Sequence, residues 1–128
     1  MIKQWLVRFA VTVAVTAGLI TGLSSAAQAA DTYCLLSDRD GRQVAHMVHV
    51  DDGDVFKIYD DQADGHGPTG YLQFWNPAIF GWDTIKSEHN GAGDGNPVSF
   101  QYNVIESVSY RMRICHAIAG CSNQPFKE

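Results

Sequence analysis

Turn-forming residues recur so closely along this chain that they leave room for strands and not for long helices. Asp38-Arg39-Asp40-Gly41, Asp51-Asp52-Gly53-Asp54, residues 60–70, Asn76-Pro77 and residues 90–97 each join aspartate or asparagine to glycine or proline. These residues supply positive φ, fix φ, or bond their own backbone in a turn. In residues 104–115, Val104, Val108, Tyr110, Met112 and Ile114 alternate with Ser107, Ser109, Arg111 and Arg113, and Glu106 is the one polar residue on the apolar side. That is the period of a half-buried strand. Val98, Phe100 and Tyr102 alternate with Ser99, Gln101 and Asn103, and residues 42–50, 55–59, 71–75 and 80–86 complete the predicted strands. The expected fold is all-β, a small antiparallel β-sandwich or short barrel of about six to eight strands.

Residues 1–29 have the composition of an export signal. Lys3 and Arg8 provide the charged start, residues 9–23 the apolar segment, and Ala27-Gln28-Ala29 the small-residue cleavage site. The apolar segment is about 15 residues long, short of the roughly 20 that cross a bilayer. Ala30 is therefore the expected first residue of a secreted, extracellular protein with no membrane attachment after cleavage. A lipid anchor would need cysteine at that first position, whereas the first cysteine is Cys34. The start also lacks the paired arginines of the twin-arginine route.

Removing the 29-residue leader from the 128-residue chain leaves 99 residues, enough for a single domain, residues 30–128. These carry seven Lys and Arg against fourteen Asp and Glu, a net charge of −7 with histidine neutral. Such a balance argues against a nucleic-acid partner. The three cysteines, Cys34, Cys115 and Cys121, all lie in the exported part, where oxidation is permitted. An odd number leaves one unpaired or bonded outside the chain.

Three constellations suggest chemistry. Asp60-x-Gln62-x-Asp64-Gly65 places oxygen ligands at alternate positions before a glycine, the pattern with which a short loop wraps calcium. It is not an EF-hand, because Tyr71 occupies the twelfth position. The competing reading is an acidic turn whose carboxylates bond nearby amides. Apart from calcium at Asp60, Gln62 and Asp64, no cofactor is expected. Among the five histidines, His46 and His49 are three apart on a predicted strand and so face opposite ways. No His-Glu-x-x-His, Cys-x-x-Cys or Gly-x-Ser-x-Gly pattern occurs, and no catalytic residue is assigned. The aromatic stretch is the third: Tyr71, Phe74, Trp75, Phe80 and Trp82 lie within twelve residues. If Leu72 and Phe74 face inward, alternation turns Tyr71, Gln73 and Trp75 outward, a flat aromatic surface with an amide beside it and Trp82 on the next strand. The alternative is that these rings fill the core.

Residues 55–60 (Val-Phe-Lys-Ile-Tyr-Asp), Ala63-Asp64-Gly65-His66-Gly67, Gly70-Tyr71-Leu72, the turn Asn90-Gly91-Ala92-Gly93 and Arg113-Ile114-Cys115 together resemble a group of small secreted actinobacterial proteins. The resemblance covers roughly residues 55–121 and implies a compact all-β domain with a C-terminal disulfide, matching Cys115 and Cys121. It carries over no activity. Five residues ending in Gly120 separate these two cysteines, room for a hairpin that brings them within bonding range. A bridge from Cys34 to either is the alternative. The function expected is that of a monomeric, non-catalytic secreted module binding an extracellular protein or polysaccharide. An enzyme inhibitor or antagonistic factor comes second, and a small hydrolase third.

Overall fold

The computed structural model describes residues 30–91, 93 and 95–128; the candidate leader, residues 1–29, lies outside the described residues. Eight strands form: β1 (Thr32–Ser37), β2 (Gln43–Val50), β3 (Val55–Asp60), β4 (Thr69–Asn76), β5 (Gly81–His89), β6 (Val98–Gln101), β7 (Tyr110–His116) and β8 (Gly120–Phe126). They make two four-stranded antiparallel sheets, ordered β1-β2-β3-β6 and β5-β4-β7-β8. The two sheets pack face to face as a β-sandwich, as the alternation and turn chemistry predict.

The alternation decides which side chains lie between the sheets. Met47, Phe56 and Ile58 from one sheet meet Leu72, Met112 and Ile114 from the other, all without solvent exposure. Phe56 stacks on Phe100 with centroids 5.2 Å apart, and Phe126 closes the aromatic end against Phe56 and Tyr110. Each large core side chain contributes about 1.5–3 kcal/mol by leaving water, so most of the stability of so small a domain resides in this layer.

Two strands were not predicted. β1 lies at the edge of its sheet, where Tyr33 and Leu35 stay exposed while Cys34 and Leu36 turn inward. β8 is also an edge strand, with a mostly polar sequence ending in Pro125-Phe126. An edge tolerates proline because one side of the strand has no ladder to maintain. The strand predicted over residues 104–115 starts later, at Tyr110. Glu106 and Ser107 form a turn in which the Val108 N–H donates to the Ile105 carbonyl at 3.0 Å. The polar residue that interrupts the apolar side marks this bend. Val104 is nonetheless buried in the core, and Asp54 Oδ2 accepts its N–H at 3.1 Å.

Cys115 and Cys121 sit opposite each other on β7 and β8 and form the disulfide. Cys34 is a buried free thiol. The bridge closes a loop of only six residues of sequence separation, which restricts the unfolded chain by roughly 2 kcal/mol. Reduction is therefore expected to lower the unfolding free energy by about that amount without unfolding the domain, a difference readable from urea titrations with and without reductant.

Candidate functional site

The outer face of the β5-β4-β7-β8 sheet collects every residue of the predicted aromatic surface. Leu72 is buried and Phe74 packs against the core, so Tyr71, Gln73 and Trp75 lie on the other side of β4; contrary to the expected exposed amide, Gln73 is itself buried there. Antiparallel pairing extends them into rows across the sheet. Tyr71 lies between Ser87 and Arg113, Gln73 between Thr84 and Arg111, and Trp75 beside Trp82. A register shift between Leu72 and Gln73 in the pairing with β5 accommodates the extra residue Ile85 and keeps Thr84 and Trp82 on this face.

The middle row is hydrogen-bonded into one unit. Gln73 Nε2 donates to Thr84 Oγ1 at 3.1 Å, and Gln73 Oε1 accepts from Arg111 Nε at 2.7 Å. The Arg111 guanidinium lies over the Trp82 ring, 4.6 Å from its centroid. Trp75 and Trp82 meet at 74°, edge to face, with centroids 5.5 Å apart. The surface is thus an angled corner, not the flat platform that alternation alone suggests, with the positive edge of one indole set against the negative face of the other. Trp75 retains 38% exposure. Next to the corner is an open depression of about 560 Å³ bordered by Trp75, Trp82, Tyr110, Pro125 and Lys127.

Charge on this face is one-sided. Arg111 and Arg113 are offset by one row on β7, and Arg113 Nη1 donates to Asn123 Oδ1 at 3.0 Å. Partial burial, then the neighbouring Arg113, lowers the pKa of Arg111 from its usual value, which still leaves this guanidinium charged at neutral pH. Among the described residues neither arginine has a carboxylate within ion-pairing distance. Asp83, the acidic residue between Trp82 and Thr84, points to the opposite side and accepts from Asn76 Nδ2 at 2.7 Å.

The β4–β5 turn, just beyond the tryptophan pair, presents Ile79 at 58% and Phe80 at 85% exposure. Phe80 has φ of 49°, the left-handed region that costs a bulky L-residue about 1–2 kcal/mol. Its ring recovers none of this inside the molecule.

Asp60, Gln62 and Asp64 are arranged as consecutive turns. Asp60 Oδ1 accepts the Gln62 N–H at 3.2 Å, and Asp64 Oδ1 accepts the His66 N–H at 2.9 Å. Gln62 Nε2 reaches back to the Gln43 carbonyl at 3.5 Å. Asp64 Oδ2 lies 3.4 Å from His116 Nε2. The His66 amide and, after it, the charge of His116 hold the Asp64 carboxyl below the usual carboxylate range. Among the described residues no group of three or more His, Cys, Asp or Glu is placed to hold a metal.

Sequence spacing gave no hint of the three His–Asp pairs that the fold assembles. His46 faces Asp61 at 2.6 Å, His49 faces Asp54 at 2.9 Å, and His116 faces Asp64. His46 and His49 do take opposite faces of β2: His46 stacks on Tyr59, and His49 on Phe56 in the core. Nδ1 of His116 accepts the N–H groups of Ile118 and Ala119, which puts the ring proton of the neutral form on Nε2, 3.2 Å from the His66 carbonyl. These pairs join loops to strands. No residue distance on the chain foretells them, since the partners are 15, 5 and 52 positions apart.

The buried Cys34 thiol lies 3.6 Å from the Ser122 carbonyl and 3.9 Å from that of Met112. Burial pushes its pKa up. A raised folded-state pKa means stability that is fully present below the unfolded value of about 8.5 and lost as pH rises through the folded value, because the unfolded thiol ionises first. Unfolding midpoints of wild type should therefore fall faster above about pH 8.5 than those of Cys34→Ala, and the native thiol should resist iodoacetamide at neutral pH.

Among the described residues no helix is long and apolar enough to cross a membrane. Compared with known proteins, the chain matches no family model, no curated protein and no solved structure at a significant level, so the role of these surfaces is read from their own chemistry.

Proposed function

We propose that this chain is a secreted, non-catalytic β-sandwich module that holds an extracellular partner on the outer face of the β5-β4-β7-β8 sheet. The observation that carries the reading is the gathering of Tyr71, Gln73, Trp75 and Trp82 on one surface together with Arg111 and Arg113. Aromatic and arginine side chains dominate the energetics of recognition surfaces. The exposed Thr84 hydroxyl and the guanidinium groups beside aromatic rings also suit the alternating hydroxyl and C–H surfaces of a sugar chain, which favours a polysaccharide over a protein. The module acts as a monomer, requires no cofactor, and works after loss of its leader.

Retention on insoluble cell wall, chitin and cellulose tests the reading. Wild type should be retained on at least one of them, and the double variant Trp75→Ala/Trp82→Ala should bind at least 10-fold more weakly while still folded by circular dichroism. Equal retention of the two proteins would remove this face from the function.

A second reading, an antagonist of an extracellular enzyme, rests on Phe80 and Ile79 at the β4–β5 turn. An exposed ring held in a strained conformation is an insertion element for a pocket on a target. Phe80→Gly should then abolish inhibition in protease and nuclease assays while raising thermal stability, since glycine adopts this φ without strain.

A further inference from the structure

We infer that the ligand of the outer face carries carboxylates on a sugar backbone: a polyuronate chain whose acid group seats on Arg111 while its ring rests against Trp75. The inference deepens the proposed function and rests on that reading. Arg111 is fixed on two sides before any ligand arrives. Its Nε is committed to Gln73 Oε1 at 2.7 Å, and its Cζ lies over the Trp82 ring, 4.6 Å from the centroid. The two Nη groups find no acceptor among the described residues. A guanidinium held by Nε and by the cation–π contact has already lost most of its rotamer freedom, so a carboxylate meeting the Nη pair gains a charge-assisted contact at little further entropy cost.

Electrostatics on the same face point the same way. The mature chain carries −7, yet the outward positions on β4, β5, β7 and β8 hold two arginines and no carboxylate. Arg113 extends the cationic line by one row, and Lys127 borders the depression beside Trp75. Two neighbouring cations without a counter-charge repel each other, and an anionic chain laid across β7 would relieve this. The acidic loops around Asp38 and Asp51 would repel a polyanion elsewhere, which confines it to this face.

The discriminating experiment measures binding of the folded mature protein to soluble polygalacturonate, to its methyl ester, to the neutral glucan laminarin and to poly-L-glutamate, following tryptophan fluorescence. Polygalacturonate should bind. Its ester and laminarin should bind at least 10-fold more weakly, and 0.5 M NaCl should reduce the polygalacturonate affinity. Arg111→Lys, which keeps the charge and loses the fork, should lose 5-fold or more; Arg111→Gln should lose more, with circular dichroism confirming that both variants are folded at the assay temperature. Equal binding of ester or laminarin would overturn the carboxylate while leaving the polysaccharide reading in place. Equal binding of poly-L-glutamate would overturn the sugar backbone and redirect the face to an acidic protein. Absence of binding to all four would overturn the inference. If cell wall, chitin and cellulose also failed to retain the protein, the proposed function itself would fall.

Discussion

Gly67→Ala is expected to destabilise the domain by about 3 kcal/mol or more, at the upper end of what overpacking costs. A Cβ at this position would fall on the Asn90 carbonyl oxygen and lie 2.7 Å from the Asn90 carbonyl carbon and 2.8 Å from Gly91 Cα. All three are main-chain atoms. Asn90 has little freedom to withdraw, because it is buried and its Nδ2 donates to the Ile58 carbonyl at 2.9 Å and the Asn96 carbonyl at 2.8 Å, while its N–H donates to the Pro68 carbonyl at 2.9 Å. Gly70 provides the internal comparison. A Cβ there would press on the Ile58 side chain and reach 3.0 Å from Met47 Sδ, but flexible side chains can give where backbone cannot. Gly70→Ala should therefore cost less, roughly 1–3 kcal/mol. Urea midpoints of the two variants settle the order, and a Gly67→Ala protein more stable than Gly70→Ala would mean that the 67–68 and 90–91 segments are not locked together.

What could be seen in advance follows from where each side chain's environment is decided. Met112, Ile114, Phe56 and Ile58 are interior because strand alternation places them there, and that alternation is written in adjacent residues. That Tyr71, Gln73 and Trp75 share the other side of β4 is legible for the same reason, whereas the burial of Gln73 is not. Arg111 and Thr84 complete the candidate site only after β4 has been aligned with its two neighbours, and register between strands far apart in sequence leaves no local trace. β1 and β8 escaped notice because edge strands need only one satisfied face and one ladder, which relaxes the hydrophobic pattern that marks a central strand. The run at residues 104–109 misled in the opposite direction. Val104 and Val108 keep the apolar period, but a carboxylate 50 residues earlier takes the Val104 N–H and replaces the ladder bond a strand would need.

That carboxylate belongs to Asp54, and Asp54→Ala is expected to cost about 3–5 kcal/mol, a large part of the 5–15 kcal/mol available to a domain of this kind. Asp54 Oδ1 meets His49 Nε2 at 2.9 Å, Oδ2 accepts the Val104 N–H, and its main-chain carbonyl accepts the Tyr102 N–H at 3.2 Å. His49 is buried between Phe56 and Phe126, with ring centroids 4.7 and 4.6 Å away, so water cannot readily replace the lost partner. Two polar groups left unsatisfied cost about 1–3 kcal/mol each. Alanine at a φ of 52° adds about 1 kcal/mol, because its Cβ crowds the following carbonyl in the left-handed region. Asp54→Asn separates these effects. Asparagine accepts that φ, its Oδ1 can take the Val104 N–H, and its Nδ2 can donate to His49 in the other neutral tautomer. Its cost should stay near 1 kcal/mol. Denaturant titration of the pair gives the decision: equal losses would mean that backbone contacts alone hold the 102–109 segment in place. The consequence reaches the candidate site, because this segment leads into β7 and ends at Ser109, whose carbonyl accepts the Trp75 N–H at 2.9 Å. A protein that lacks the Asp54 carboxylate should therefore hold Trp75 less firmly and, on the proposed function, be retained more weakly on the polysaccharide that retains wild type, even at temperatures where it remains folded.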